Sequence, residues 1–175
     1  MAACTTAAMS MSWLKHLVGF QLTEEQMRDI PHPYLEMHAH VMLKTAQAFG
    51  LLGTVVIGPA VALARPETRT LDDIKSSSYS CGKWGVMLAF LVAPLMTQGV
   101  LEAKKADRDS VYDRCYRLRY NRSQAIIDRG SAVGAVSGAS LAVPLGESPA
   151  MGALVGMSMG FISMACYNYL WLPKK

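Results

Sequence analysis

Hydrophobic residues in this chain fall into four long blocks without Asp, Glu, Lys or Arg, separated by charged segments. The blocks cover residues 45–64, 84–101, 130–146 and 150–172. A helix needs about 20 predominantly apolar residues to cross a bilayer. The pattern therefore predicts an all-α, multi-pass membrane protein. An N-terminal extension with short amphipathic helices (residues 1–40) precedes a membrane domain of four transmembrane helices (41–172).

Composition supports the membrane interpretation over a soluble helical bundle. Charged residues make up 17% of the chain, against about 25% in soluble domains, and the mean hydropathy is +0.21. A soluble bundle would have to bury all four blocks within 175 residues. The third block is the least apolar of the four, and we expect it to be an inner helix shielded by the other three. The net charge of +4 gives no reason to expect a nucleic-acid partner.

Small residues recur at every fourth position in each of the four blocks. Residues four apart lie on one side of a helix, and small residues there let two backbones approach closely within a membrane. Composition alone would produce some of these series, because the blocks are rich in Gly, Ala and Ser. We predict GxxxG-type helix packing at nine glycines: Gly50, Gly58, Gly85, Gly130, Gly134, Gly138, Gly152, Gly156 and Gly160.

The N-terminal extension carries two local signals. Residues 11–20 form a short amphipathic pattern that fits a membrane surface. Thr23 and Gln26 have the spacing of a capping box at a helix start. Pro31 and Pro33 are expected to end that helix.

Positive charge is unevenly distributed about the four predicted spans. Thirteen of the 17 Lys and Arg residues fall on the side that holds both termini and the second connection. The positive-inside rule would place that side in the mitochondrial matrix or the cytosol.

The second connection, residues 102–129, holds the most notable polar residues. Its arginines could bind anionic lipid headgroups such as cardiolipin, or they could pair with Asp113 and Asp128 or with a partner subunit. Asp128 precedes the glycine series, where an acid would complement a helix N-terminus. The candidate lipid or partner contacts are Arg117, Arg119, Arg122, Asp128 and Arg129.

No motif for catalysis, cofactor binding or metal binding is present. His38 and His40 are two residues apart and do not share a helical face, so with His32 they are better interpreted as interfacial polar residues. The four cysteines are scattered and predict structural thiols. The uncharged blocks also argue against an ion-coupled transporter. We expect no enzyme activity, no cofactor and no metal.

The four small-residue-rich spans, the Arg-rich connection before the third span, and Arg122, Asp128, Gly130, Gly134 and Gly138 resemble the mitochondrial inner-membrane translocase (Tim) superfamily. Within it, the chain is most similar to the four-helix accessory subunits of respiratory complex I, over residues 40–172.

That resemblance implies a non-catalytic subunit of the respiratory chain in the mitochondrial inner membrane. It would support assembly and stability of the membrane arm of NADH:ubiquinone oxidoreductase, in contact with the other membrane subunits and with lipid. The superfamily also implies an alternative, a translocase-like component of protein import or solute transport. A subunit of another inner-membrane or endoplasmic-reticulum complex is a third option. The superfamily's usual topology places the termini in the intermembrane space, opposite to the side that the charge distribution indicates.

Overall fold

The computed structural model describes residues 15–16, 20–65 and 70–171, and these ranges contain helices and no strand, which confirms the all-α class. Most of the amphipathic pattern predicted at residues 11–20 lies outside the described residues. The helices are α1 (Glu24–Arg28), α2 (Pro33–Ala64), α3 (Leu71–Ala103), α4 (Arg108–Tyr120), α5 (Arg122–Ala142) and α6 (Pro149–Trp171).

The first helix begins where its capping residues predict. Thr23 accepts a hydrogen bond from the Gln26 backbone while the Gln26 side chain accepts from Thr23 N–H, which confirms the capping box. Pro33 does not end this helix; it is the first residue of α2, where the missing N–H costs nothing. The predicted boundary at residue 40 therefore falls inside α2.

Helix α2 widens halfway along its length. Residues Leu52–Ile57 are π-helical, and the Gly58 N–H donates to the Gly53 carbonyl five residues back. The wide turn lies immediately before Pro59, whose ring lacks an N–H and would clash with a carbonyl of the preceding turn in a regular α-helix. The helix continues as a regular α-helix to Ala64.

Helix α3 is longer than the second apolar block. Thr70 and Asp73 form a capping box, and the helix then runs for 33 residues to Ala103, a length of about 50 Å. The connection predicted between the first two blocks is thus mostly helical. In the antiparallel pair of α2 and α3, Gly58 packs on the backbone of Ser78 and Gly85 on the carbonyl of Phe49. The start of the first apolar block thus lies beside the start of the second, and the rest of the first block lies beside the more polar first half of α3.

Helices α5 and α6 form a second antiparallel hairpin, which turns at Gly146 with a φ of +71°. Glycines face glycines along it: a Cβ added at Gly134 would overlap the Gly156 carbonyl, and one added at Gly138 would overlap the Gly152 carbonyl. Each of the nine glycines predicted at helix contacts lies where an added Cβ would overlap an atom of another helix.

The expectation that α5 is shielded by the other three long helices is wrong. Val133, Val136 and Leu141 of α5 are 64, 68 and 64% exposed. The reason is that α5 buries mainly its glycine face, against α6, and leaves its larger side chains on the outside.

Within the described residues, three helices are long and apolar enough to cross a membrane: α2, α3 and α6. Helix α5 does not reach the same combination of length and hydropathy. The three apolar helices are compatible with membrane insertion.

Helix α4 lies at the end of the α2–α3 hairpin, where the chain builds its main side-chain core. It packs Val111 and Cys115 against Ile30, Met37 and Leu101. The Tyr112 hydroxyl donates to the Arg28 carbonyl at 2.6 Å and fixes α4 to α1. This packing places the polar face of α4 next to the beginnings of α2 and α5.

Candidate functional site: a buried polar cluster

The candidate site starts from a carboxylate buried between the two hairpins. Asp128 of α5 is 4% exposed. Its Oδ1 accepts from Lys44 Nζ at 2.5 Å and from Gln47 Nε2 at 3.1 Å, and both donors lie on α2. Lys44 and Gln47 are three residues apart and therefore share a helical face. One carboxylate oxygen thus joins the hairpins.

The position of Asp128 within α5 differs from the expected one. The helix begins at Arg122, and the Asn121 side chain caps it by accepting from Gln124 N–H at 3.1 Å. Asp128 is the seventh residue of the helix, so it does not complement the helix N-terminus; its charge is balanced by Lys44 instead. Two residues on, Gly130 packs on Gly160, which is close to the middle of α6.

A second buried ion pair joins α4 to α2. Arg119 donates through Nε and Nη2 to the two carboxylate oxygens of Glu36, each at 2.6 Å. Its Nη1 also donates to the carbonyls of Gln26, Met27 and Asp29 at 2.8 to 3.2 Å. These carbonyls lie at the end of α1, where helix geometry leaves them unpaired. Arg119 therefore fixes α1, α2 and α4 together.

A small cavity of about 30 Å³ separates the two ion pairs. That volume can accommodate one or two water molecules. The walls are partly polar and partly apolar. The polar and charged lining residues are His16, Glu36, His40, Arg119, Gln124 and Asp128. The cavity connects the two pairs into one polar cluster of balanced charge.

Two further groups at the cluster are held in their neutral forms. Burial, followed by the charges of Arg129 and Arg119, lowers the pKa of His16. Burial raises the pKa of the Cys115 thiol to about 12, and the thiol donates to the Pro33 carbonyl at 3.2 Å. A neutral, buried thiol is a poor nucleophile. The cluster therefore holds paired charges and neutral groups rather than an activated nucleophile and base.

The predicted contact residues divide into surface and interior positions. Arg117 is exposed and pairs with Asp113 of the same helix at 2.7 Å, and Arg122 is exposed. Arg129 donates to the His16 carbonyl at 3.0 and 3.1 Å.

Arg119 and Asp128 are 3 and 4% exposed, and their partners are Glu36 and Lys44. This corrects the expectation that these two residues contact a lipid headgroup or a partner subunit, because neither reaches the surface.

Sequence reasoning missed the polar face of α2. Glu36, His40, Lys44 and Gln47 follow one another at intervals of four, four and three residues, a spacing that places them on one side of the helix. That signal was present in the sequence. The partners of these residues were not visible, since they lie more than 80 residues away along the chain.

The three histidines considered as metal ligands, His32, His38 and His40, do not converge. His38 Nδ1 lies 2.7 Å from the Tyr34 carbonyl, and His40 lines the cavity. Across residues 15–16, 20–65 and 70–171, no three His, Cys, Asp or Glu residues group in a way that could hold a metal ion.

Comparison with known protein families gives a match over most of the chain. A family model described as a protein of unknown function (DUF1757) matches residues 13–167. The chain therefore belongs to that family. No curated protein matches the chain.

Proposed function

We propose that this family member is a non-catalytic accessory subunit of mitochondrial complex I, embedded in the inner membrane, that stabilises the membrane arm. The observation that carries a membrane scaffold role is the distribution of polarity. The long helices direct apolar side chains outward, among them Leu91 and Leu95 at 68 and 74% exposed, and turn their paired charges inward. The choice of complex I is supported by the resemblance of its spans and of its Asp128 and glycine motif.

The proposal includes four membrane-crossing helices, with α5 as the fourth. The close glycine contacts with α6 would compensate for the low hydropathy of α5 through van der Waals packing. The charge of Asp128 is offset by Lys44, which reduces the cost of placing a carboxylate at membrane depth. Helix α5 would thus enter the bilayer together with α6 and α2.

A scaffold role accounts for the chemistry of the polar cluster. Glu36 is fully engaged by Arg119, and Asp128 by Lys44 and Gln47. Charges paired in this way fix the relative positions of helices. Exposed arginines of α4 and the start of α5, including Arg117 and Arg122, would contact lipid headgroups or the neighbouring subunits at the membrane surface.

The proposal is tested by depleting the protein and separating detergent-solubilised mitochondrial membranes on native gels. The tagged protein should migrate with complex I, and depletion should reduce assembled complex I while other respiratory complexes are unchanged. Normal amounts of assembled complex I after depletion, or migration with a different complex, would contradict the proposal.

A translocase-like role is the second candidate, and the polar cavity between the hairpins favours it. Polar groups inside a helical membrane protein often mark a substrate path. This role predicts that the tagged protein copurifies with the import machinery and that depletion slows the import of a radiolabelled precursor before any loss of complex I. Unchanged import kinetics would exclude it.

A further inference from the structure

Two adjoining apolar grooves run along the outside of the α2–α3 hairpin. The first, of about 460 Å³, lies between residues 49–57 of α2 and 81–88 of α3. The second, of about 390 Å³, lies on α3 between Trp84 and Leu91. Trp84 and Leu88 line both grooves. Since these two residues are four apart, they form a ridge on one face of α3 with a groove on each side.

A single positive charge lies at one end of this ridge. Lys83 is exposed and directly precedes Trp84. Its ammonium lies 5.6 Å from the centre of the Tyr79 ring and 5.9 Å from that of Trp84, and no described carboxylate pairs with it. Tyr79 is one turn closer to the α2–α3 connection and Trp84 lines both grooves, so the ammonium lies at the edge of the grooves on the side of that connection.

We propose that the two grooves and Lys83 form a binding site for one anionic diacyl phospholipid of the bilayer. The two acyl chains lie in the two grooves, on either side of Trp84 and Leu88. The lipid phosphate pairs with the Lys83 ammonium. The indole of Trp84 suits the boundary between the acyl chains and the headgroup, since its body is apolar and its N–H is polar.

Charge and shape together select this occupant. A partner helix would bury Lys83 beside apolar side chains and leave its charge uncompensated, whereas a phosphate offsets it. A single acyl chain would fill one groove and leave the other. One cation beside two parallel apolar channels matches one phosphate with two chains. This inference rests on the proposed membrane embedding. The site on α2 and α3 is separate from the predicted contacts of Arg117 and Arg122.

Fluorescence quenching of Trp84 tests the proposal in the full-length chain. In a Trp13→Phe, Trp171→Phe background, Trp84 is the remaining tryptophan. The purified protein is reconstituted into mixed vesicles of phosphatidylcholine and phosphatidylglycerol, with bromine on the acyl chains of one lipid or the other. At equal mole fractions, brominated phosphatidylglycerol should quench Trp84 more strongly, and the site should be enriched in it about fivefold over the bulk.

Matched lysine variants separate a specific site from general surface attraction. Lys83→Gln should abolish the preference for phosphatidylglycerol, and Lys83→Arg should keep it. Lys104→Gln removes the same charge at the C-terminal end of α3 and should leave the preference for phosphatidylglycerol intact. Circular dichroism verifies that each variant is folded.

Each remaining outcome contradicts a stated part of the proposal. Equal quenching by both lipids would overturn the anionic preference while leaving the membrane embedding in place. If Lys83→Gln and Lys104→Gln lose the preference for phosphatidylglycerol equally, the role of Lys83 is overturned. Quenching by neither lipid would show that this face is covered or outside the bilayer, and would overturn both the lipid site and the embedding of this hairpin.

Discussion

The two helix hairpins achieve close packing in different ways. In α5–α6, glycines of one helix lie against glycines of the other at three successive levels, and few side chains are buried. In α2–α3, glycines such as Gly53 and Gly85 lie against the backbones of Cys81 and Phe49, and a set of small side chains of α3 is buried as well. The α5–α6 hairpin depends on backbone contact, and the α2–α3 hairpin combines backbone contact with a side-chain core.

This difference determines how the hairpins are held to each other. In the most apolar 18 residues of α6, 6% are buried, compared with 33% in α2. Few residues of α6 are fully buried, but Leu154 and Met157 of this helix pack against Gly50 and Gly82 of the α2–α3 hairpin. The buried contact of Asp128 with Lys44 and Gln47 adds a charged connection between α5–α6 and α2–α3. Exposed apolar faces like that of α6 gain no hydrophobic driving force for association within lipid.

The largest expected effect comes from removing the Asp128 carboxylate. Asp128→Ala would leave the ammonium of Lys44, whose side chain is 28% exposed, without its carboxylate. Breaking a buried pair in this way costs about 3–5 kcal/mol, and the partial exposure of Lys44 places the expected loss at about 3 kcal/mol. The free energy of unfolding in mixed detergent micelles measures it.

Two variants control for this effect. Asp113→Ala breaks an exposed pair with Arg117 and should change stability by less than about 1 kcal/mol. Adding Lys44→Met to Asp128→Ala removes the uncompensated charge and should recover much of the loss. If the double variant is as unstable as Asp128→Ala, the charge pair is not the source of the effect.

Alanine at a glycine of each hairpin tests the packing difference directly. Gly134→Ala would place a Cβ against the Gly156 carbonyl, and Gly53→Ala would place one against the Cys81 carbonyl. Overpacking costs about 1–3 kcal/mol, and we expect Gly134→Ala to be the more destabilising, because α5–α6 has few buried side chains to maintain the hairpin. Unfolding free energies in detergent provide the comparison.

Gly99 of α3 supplies the matched control, since an added Cβ there meets nothing within 4 Å. Gly99→Ala should be neutral or stabilise α3 by up to about 1 kcal/mol, the difference in helix propensity. If Gly53→Ala destabilises the protein as much as Gly134→Ala, the distinction between the two hairpins fails.

Local patterns were sufficient to predict the all-helical class and the apolar character of α2, α3 and α6. Block length and the four-residue spacing of glycines depend only on residues within one helix, so they are visible in the sequence. The start of α3 was also encoded locally, by Thr70 and Asp73, but the charged residues around them were interpreted as a connection. Helix ends are harder to predict because a capped helix can extend into polar sequence.

The site was less predictable because its members are far apart along the chain. Asp128 was noticed, but its partner Lys44 is 84 residues away and lies in a stretch interpreted as the edge of a span. The bidentate contact of Arg119 with Glu36 depends on where α4 folds back over α2. A polar face on α2 could be deduced from spacing alone, whereas the choice of partners required the tertiary structure.

The smallest expected effect concerns the side-chain core that α2–α3 has and α5–α6 lacks. Cys115 of α4 is 1% exposed in that core, and burial raises its pKa to about 12. In the unfolded chain the thiol ionises near pH 8.5. The folded state therefore retains a proton that the unfolded state loses, so stability from this group is complete below that pH and decreases as pH rises toward the folded pKa. Between pH 8 and pH 10 the loss should be about 1–2 kcal/mol.

Comparison of cysteine variants isolates this contribution from other groups that titrate in the same range. Cys115→Ala should show a smaller decrease in unfolding free energy between pH 8 and pH 10 than the wild-type chain. Cys166→Ala, which alters an exposed thiol on α6, should retain the wild-type decrease. Equal pH dependence in all three proteins would mean that the core beside α2–α3 admits water to Cys115, and the contrast between a side-chain core at one hairpin and backbone packing at the other would lose its basis.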